Sequence, residues 1–293
     1  MANVVFRAAS AVAGLAFTLL AVGFFAGWTW VEQLWPFILD ETRLGQVFLS
    51  SIALAIAAPL VWVAVTGSVR SAAAGSVNLV VMFGAMTAYL LNQSGDRPEL
   101  RAYALGTAAA AFIFVGAFVH SQRQPWLDER RMPTPLRVGF VGSAVALVLV
   151  AVQLISENPH IFPWPLASGS SVMYGLIFLG AAVYFVVGAI EARWASATGQ
   201  LIGFLAYDLV LIVPFAQRFG TVPAEHRPSL IVYTAVLVVS GATAIWYLLL
   251  DPATRLGARP QLRGPEGARG AGPAVPVGGI SSAHPFVLGW RRS

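Results

Sequence analysis

Asp208 is the one acidic side chain among thirteen that lies deep in an apolar segment of this sequence. Asn78 precedes it by 130 positions, and Gly84 and Pro214, six residues further on in each case, are separated by the same distance. Ionisable side chains are costly inside a bilayer, so such a residue is a candidate for a functional site. Pro214 lacks an amide hydrogen, which frees the carbonyl of Val210 within a predicted helix.

Two roles are open to Asp208. In the first, Asn78, Asp208, the Val210 carbonyl and the Tyr207 hydroxyl line one polar pocket for a small solute, an ion or a proton. Glycine or proline interruptions at matching positions of two halves point to such sites in transporters. In the second, a neutral Asp208 is hydrogen-bonded to Asn78 or Tyr207 and only fastens two helices, a contact that contributes about 0.6–2 kcal/mol.

The composition requires a membrane around these residues. Hydrophobic residues make up 57% of the 293 and charged residues only 11%, whereas soluble domains have about 45–50% and about 25%. A helix needs roughly 20 apolar residues to cross the hydrocarbon core. We therefore predict an all-α membrane protein with eight transmembrane helices. The apolar runs lie near 8–26, 46–66, 72–92, 102–120, 138–156, 171–190, 198–217 and 230–250.

The chain contains an internal similarity at a distance of 130 residues. The motif Arg-Pro-x-Leu-x-x-Tyr begins at Arg97 and again at Arg227, and Arg7 is separated from Arg137 by the same distance. A shared distance across most of a half favours duplication over chance. Because each half holds an even number of spans, both halves enter the membrane in the same sense, which predicts two parallel repeats.

This pattern divides the chain into three parts. Residues 1–120 form the first four-helix repeat and residues 121–250 the second. Residues 251–293 are rich in glycine, proline and arginine and show no helical periodicity. Such composition is typical of a flexible tail.

A further motif carries a resemblance to other proteins. Trp-Pro followed by Gly-x-x-Phe-Leu occurs at Trp35–Leu49 and at Trp164–Leu179. It resembles a module of uncharacterised multi-pass membrane proteins of high-GC bacteria. The resemblance implies a bacterial multi-pass protein and no particular substrate or site.

The arginines predict the orientation. All 18 basic residues are arginine, a usage typical of a GC-rich bacterial genome. If the N-terminus is cytoplasmic, 11 of them lie in inner segments and the near tail, and 5 in outer loops. The positive-inside rule then favours a plasma-membrane protein with both termini in the cytoplasm.

Several classes of function are excluded by what the sequence lacks. There is no cysteine, and the four histidines lie outside the middle of the spans, so we expect neither haem nor another cofactor or metal. No phosphate loop or nucleophile motif occurs, and the arginines form no nucleic-acid-binding face. We therefore expect that the protein is not an enzyme.

The leading hypothesis is a transporter of a small solute or ion; the alternative is a non-catalytic scaffold or accessory subunit. The partners of the protein would be lipid and either a second copy of the chain or another membrane protein.

Overall fold

The computed structural model describes residues 1–37, 43–95 and 97–257. These ranges are mainly α-helical and contain no β-strand, apart from an isolated bridge between Arg131 and Arg193. A π-helical turn, Trp246–Leu250, extends the last helix. The helices are α1 (Ala2–Ala26), α2 (Thr29–Glu32), α3 (Leu44–Thr66), α4 (Ala72–Gln93), α5 (Pro98–Gln122), α6 (Thr134–Ile155), α7 (Ser168–Glu191), α8 (Trp194–Arg218) and α9 (Arg227–Ile245).

All of these helices except α2 are long and apolar enough to cross a membrane, which gives eight such helices within the described ranges. The prediction of eight spans is confirmed in this sense. Large apolar side chains also point outward along them, for example Leu105, Phe112 and Val239, which are 70%, 82% and 66% exposed. Outward apolar surface of this kind suggests contact with lipid.

The helices start and stop for local reasons. Pro98 and Pro228 lie in the first turn of α5 and α9, where the missing amide hydrogen costs nothing. Gly67 ends α3 with a φ of 74°, a left-handed conformation that glycine adopts without strain.

Arginine side chains at one side of the bundle bind carbonyl groups near helix C-termini. Arg7 donates to the carbonyls of Ala64 and Val65 near the end of α3, and Arg137 donates to that of Ala189 near the end of α7. A cation stabilises the free carbonyls of a helix C-terminus. We call the side on which α1 begins the N face and the other side the far face.

Four helices form the centre of the bundle. Helix α3 packs against α8, and α4 packs against α7. Each central helix carries one outer helix, with α1 on α3, α5 on α4, α6 on α7 and α9 on α8. The first and second halves of the chain therefore meet through their central helices.

Glycine allows both central crossings to be close. A Cβ on Gly180 of α7 would lie 2.6 Å from Oδ1 and 2.9 Å from the backbone oxygen of Asn78 in α4. A Cβ on Gly203 of α8 would lie 2.8 Å from the carbonyl oxygen of Ala55 in α3. Real side-chain atoms do not approach this closely, so larger residues would force the helices apart.

The first residues of the predicted tail pack against the bundle. Thr254 is 5% exposed and its hydroxyl donates to the carbonyl of Tyr247 at 2.7 Å. Arg130 donates to the carbonyl of Ala253 at 3.0 Å. The tail predicted from residue 251 is therefore held against the bundle as far as Thr254, and residues 258–293 lie outside the described part of the chain.

Candidate functional site

A cavity of about 290 Å³ lies inside the bundle and is lined by residues from all eight long helices. On α3 its wall reaches from Phe48 to Val63, roughly 22 Å at about 1.5 Å per residue. The volume is close to the lower end of the range for small-molecule sites. The cavity is therefore long and narrow.

The wall is mainly apolar with a few polar side chains. Within the described ranges, no acidic, basic or histidine side chain lines it. An ion placed there would lack a compensating charge, which is strongly unfavourable away from water. The polar lining residues are Ser10, Ser71, Ser76, Asn78, Tyr184, Gln200, Tyr207 and Tyr233.

The side chains of Asn78 and Gln200 each pack against a glycine of α7. Oδ1 of Asn78 lies against Gly180, and Oε1 of Gln200 lies against Gly188; neither oxygen has a hydrogen-bond partner among the described residues. The amide of Gln200 donates to the backbone carbonyl of Tyr184, which fixes the direction of its side chain. Both oxygens are thus buried acceptors without donors, which are rare in folded proteins.

Tyr184 projects across the centre of the bundle. Its hydroxyl lies between Gly75 of α4 and Gly199 of α8, 3.6 Å and 3.3 Å from the positions that a Cβ would occupy there. The absence of side chains at these glycines leaves room for the phenol. Together with Asn78 and Gln200 it forms a polar level in the half of the cavity nearer the N face.

An aromatic plug closes the cavity toward the far face. The ring of Phe48 lies 5.1 Å from that of Phe162, 5.7 Å from Trp164 and 5.3 Å from Tyr174, measured between centroids. Such distances are typical of favourable aromatic pairs. The plug consists of Phe48, Phe162, Trp164, Tyr174 and Phe215, none more than 1% exposed.

An ion pair lies beside the cavity at the N face. Nη1 of Arg70, just before α4, is 3.0 Å from Oε1 of Glu191 at the end of α7, and the two side chains are 14% and 11% exposed. The second oxygen of Glu191 accepts from Ser196 at 2.8 Å. The guanidinium also lies 4.5 Å above the ring of Trp126, a favourable cation–π arrangement. This N-face ion pair joins the two halves of the chain.

Asp208 lies outside the cavity wall. It is 5% exposed and its carboxylate accepts from the Ser240 hydroxyl of α9 at 2.9 Å and 3.0 Å. A Cβ on Gly241 would lie 3.4 Å from Oδ2 of Asp208, so the glycine leaves room for the carboxylate against α9. Asp208 thus joins α8 to α9, as in the hypothesis that it fastens two helices, with Ser240 in place of Asn78 or Tyr207.

The predicted pocket of Asn78, Asp208 and Tyr207 is therefore only partly assembled. Asn78 and Tyr207 line the cavity, whereas Asp208 faces α9, and no hydrogen bond joins Asp208 to Asn78 among the described residues. Neighbouring residues of an α-helix point about 100° apart because the helix has 3.6 residues per turn. Tyr207 and Asp208 thus face different helices.

Gly84 and Pro214 do not interrupt their helices. Helix α4 continues through Gly84, which is exposed with nothing within 4 Å of the position that a Cβ would occupy, and α8 continues through Pro214. Neither residue lines the cavity. The proline in the wall is Pro59 of α3, which frees the carbonyl of Ala55 beside Gly203.

No known family, curated protein or solved structure matches the chain. The chemistry of the site therefore has to come from the side chains described above. In the described ranges, no group of three or more acidic or histidine residues could hold a metal ion. The residues missed from the sequence, Pro59, Tyr184 and Gln200, share one signal, since each is a polar residue or a proline within an apolar run.

Proposed function

We propose that the protein is a multi-pass membrane carrier that moves a small uncharged solute through the central cavity. The observation that supports this most strongly is the position of the cavity. It lies between the two halves of the chain and has an aromatic plug at one end and an ion pair at the other. No catalytic step or cofactor is part of the proposal.

The lining supports an uncharged solute. Asn78, Tyr184, Gln200 and the other polar liners supply hydrogen bonds without formal charge. Desolvation of an ion in such a site would cost many kcal/mol without a counter-charge. Since Asp208 faces Ser240 of α9, proton coupling through Asp208 is not part of the proposal.

The proposal includes two parallel four-helix repeats, residues 1–120 and 121–250. Its support is the relation between the two central crossings. Gly180 lies 125 positions after Ala55, and Gly203 lies 125 positions after Asn78. At the crossings these partners are exchanged, because Gly180 contacts Asn78 and Gly203 contacts Ala55. A twofold axis along the membrane normal would produce this exchange. The excess of arginine in the N-face segments and near tail supports a cytoplasmic N face in a bacterial plasma membrane.

Both closures are of a kind that can open. The indole N–H of Trp164 has no hydrogen-bond partner within the described part of the chain, and an unsatisfied buried donor costs about 1–3 kcal/mol. The side chains of the N-face ion pair are only 14% and 11% exposed, and the desolvation of such buried charges offsets much of their attraction. A carrier would open these two closures at different times, one toward each face.

Cysteine accessibility tests this proposal, because the chain contains no cysteine of its own. Ser76→Cys places one thiol in the cavity wall. We expect Glu191→Gln, which weakens the ion pair, to open the cavity to water at the N face, so that a charged, membrane-impermeant methanethiosulfonate reaches the thiol in a hydrated state and labels it from this face about tenfold faster. We expect Trp164→Ala, which opens the plug, to do the same from the far face.

Three further single-cysteine variants serve as controls. Arg123→Cys should react only from the N face and Thr221→Cys only from the far face, because both residues are exposed in connections at those faces. Phe112→Cys, 82% exposed on an apolar surface, should not react with a charged reagent. Thermal melting shows whether the Glu191→Gln and Trp164→Ala variants are folded. If both are folded and Ser76→Cys stays unreactive in each, the carrier is refuted and the scaffold or accessory subunit is favoured.

A further inference from the structure

We infer that the solute is a neutral lipid, which enters the cavity sideways from the bilayer between α1 and α5. This inference rests on the proposed function and names the substrate class of the same cavity. The observation behind it is that the cavity wall reaches the outer apolar surface of the bundle between these two helices.

The gap between α1 and α5 lies in the half of the bundle nearer the N face. Both helices contribute to the cavity wall, yet they are not among the closely packed helix pairs. Among the described residues, the side-chain contacts that join them lie at the N-face end, where Phe6 stacks on His120 at 5.0 Å and Nε2 of His120 lies 3.2 Å from Oδ1 of Asn3. Farther from the N face, Ile113 of α5 lines the cavity and is also 70% exposed. The wall and the lipid-facing surface are continuous at this point.

The shape and chemistry of the cavity fit a hydrocarbon chain. A slot of about 290 Å³ that extends for roughly 22 Å along α3 is narrow for its length. Its walls are mainly apolar, and within the described ranges they carry no charged side chain. A single extended acyl chain fits the shape of such a slot. A compact polar solute of the same volume would be too wide for it and would lose its hydration on entry.

The polar level lies at the depth of the gap. Asn78 is six residues from the start of α4, Gln200 six from the start of α8, and Tyr184 seven from the end of α7. At about 1.5 Å per residue these side chains lie roughly 10 Å from the N-face helix ends. Ala9 of α1 is seven residues from the start of its helix and lies at the same depth. A hydroxyl-bearing lipid head in the gap would meet the Tyr184 hydroxyl and the Asn78 amide.

A charged head would meet no counter-charge at this level, so the inference predicts selection for neutral lipids. The probe is a diacylglycerol with a photoreactive diazirine in one acyl chain, added to the full chain in nanodiscs. The comparison probe is phosphatidylglycerol with the same acyl chain. After irradiation, mass spectrometry locates the labelled peptides.

We expect the diacylglycerol probe to label cavity-lining residues of α3, α4 and α7, with at least about fivefold more label there than the anionic probe gives. Ala181→Phe, which narrows the cavity from α7, should remove most of this label. Ala109→Phe, the same change on the exposed surface of α5, should leave it unchanged. Unlabelled diacylglycerol should compete.

Label confined to outward-facing residues, equal label from both probes, or unchanged label in Ala181→Phe would each overturn the inference. These failures differ from failure of the proposed function. If Ser76→Cys responds to both closures but the lipid probe fails, the carrier stands and its solute arrives from water. If the lipid probe succeeds while Ser76→Cys never reacts, the chain binds lipid without carrying it.

Discussion

Replacement of Gly180 by alanine should separate the two central helices α4 and α7. The added Cβ would lie 2.6 Å from Oδ1 of Asn78, 2.9 Å from its backbone oxygen and 2.9 Å from Cβ of Met82. The side-chain oxygen can rotate away. The backbone oxygen and the Cβ atom move only with the helix that carries them, so α4 has to shift.

The magnitude follows from two opposing effects. Overpacking in a well-packed core costs about 1–3 kcal/mol, and the rigid neighbours favour the upper end of this range. Alanine in a helix is favoured over glycine by about 1 kcal/mol. We therefore expect Gly180→Ala to lose about 2 kcal/mol of unfolding free energy.

Gly84→Ala provides the matched control. This glycine lies in α4 near the same crossing but has nothing within 4 Å of its Cβ position, so the helical preference acts alone and should stabilise by about 0.5–1 kcal/mol. Equilibrium unfolding in mixed micelles, followed by circular dichroism, measures both variants. If Gly180→Ala is as stable as Gly84→Ala, the close crossing of the two halves is refuted.

Two further predictions concern acidic residues at different depths. Asp208→Ala and Ser240→Ala should each lower the unfolding free energy by about 0.5–2 kcal/mol, as expected for a polar contact between membrane helices, and should leave Ser76→Cys labelling unchanged; altered labelling would return Asp208 to the transport path. At the N face, burial raises the pKa of Asp128, but the hydrogen bonds and charge of Arg130 outweigh it and hold this pKa below its usual 3.8. The pair therefore stabilises the fold above about pH 4 and loses this effect as the pH falls further. Asp128→Asn should cost at most about 1 kcal/mol at neutral pH, and a deficit that persists unchanged at pH 3 would contradict this account.

The sequence predicts the features that depend on local chemistry. Eight apolar runs gave eight helices because the length of a span is fixed by the bilayer. The prolines of the Arg-Pro-x-Leu-x-x-Tyr motif lie in first turns, as expected for a residue without an amide hydrogen, and Leu100 and Leu230 of the two motifs are both buried.

The neighbouring helix against which each side chain packs could not be predicted in the same way. In lipid both the packed and the outward sides of a helix are apolar, so hydrophobic periodicity does not identify the inner side. This is why the sequence did not show that Asp208 faces α9 and Asn78 faces α7. The alignment of the two proposed repeats with each other was a second obstacle. The connection between α1 and α3, residues 27–43, is five residues longer than that between α6 and α7, residues 156–167.

Within the proposed pair of repeats, this difference in connection length changes which residues would correspond. The outer helices keep the distance of 130 seen in Arg7 and Arg137. The central helices α3 and α7 end at Thr66 and Glu191, and α4 and α8 end at Gln93 and Arg218, each 125 positions apart. If the two halves are aligned as the proposed repeats through these helix ends, Asn78 corresponds to Gly203 and not to Asp208.

The side from which Ser76→Cys is labelled tests the carrier most directly. The account predicts that Glu191→Gln raises the labelling rate from the N face alone and that Trp164→Ala raises it from the far face alone. Labelling from the same face in both variants, or from neither face in a folded protein, would contradict it.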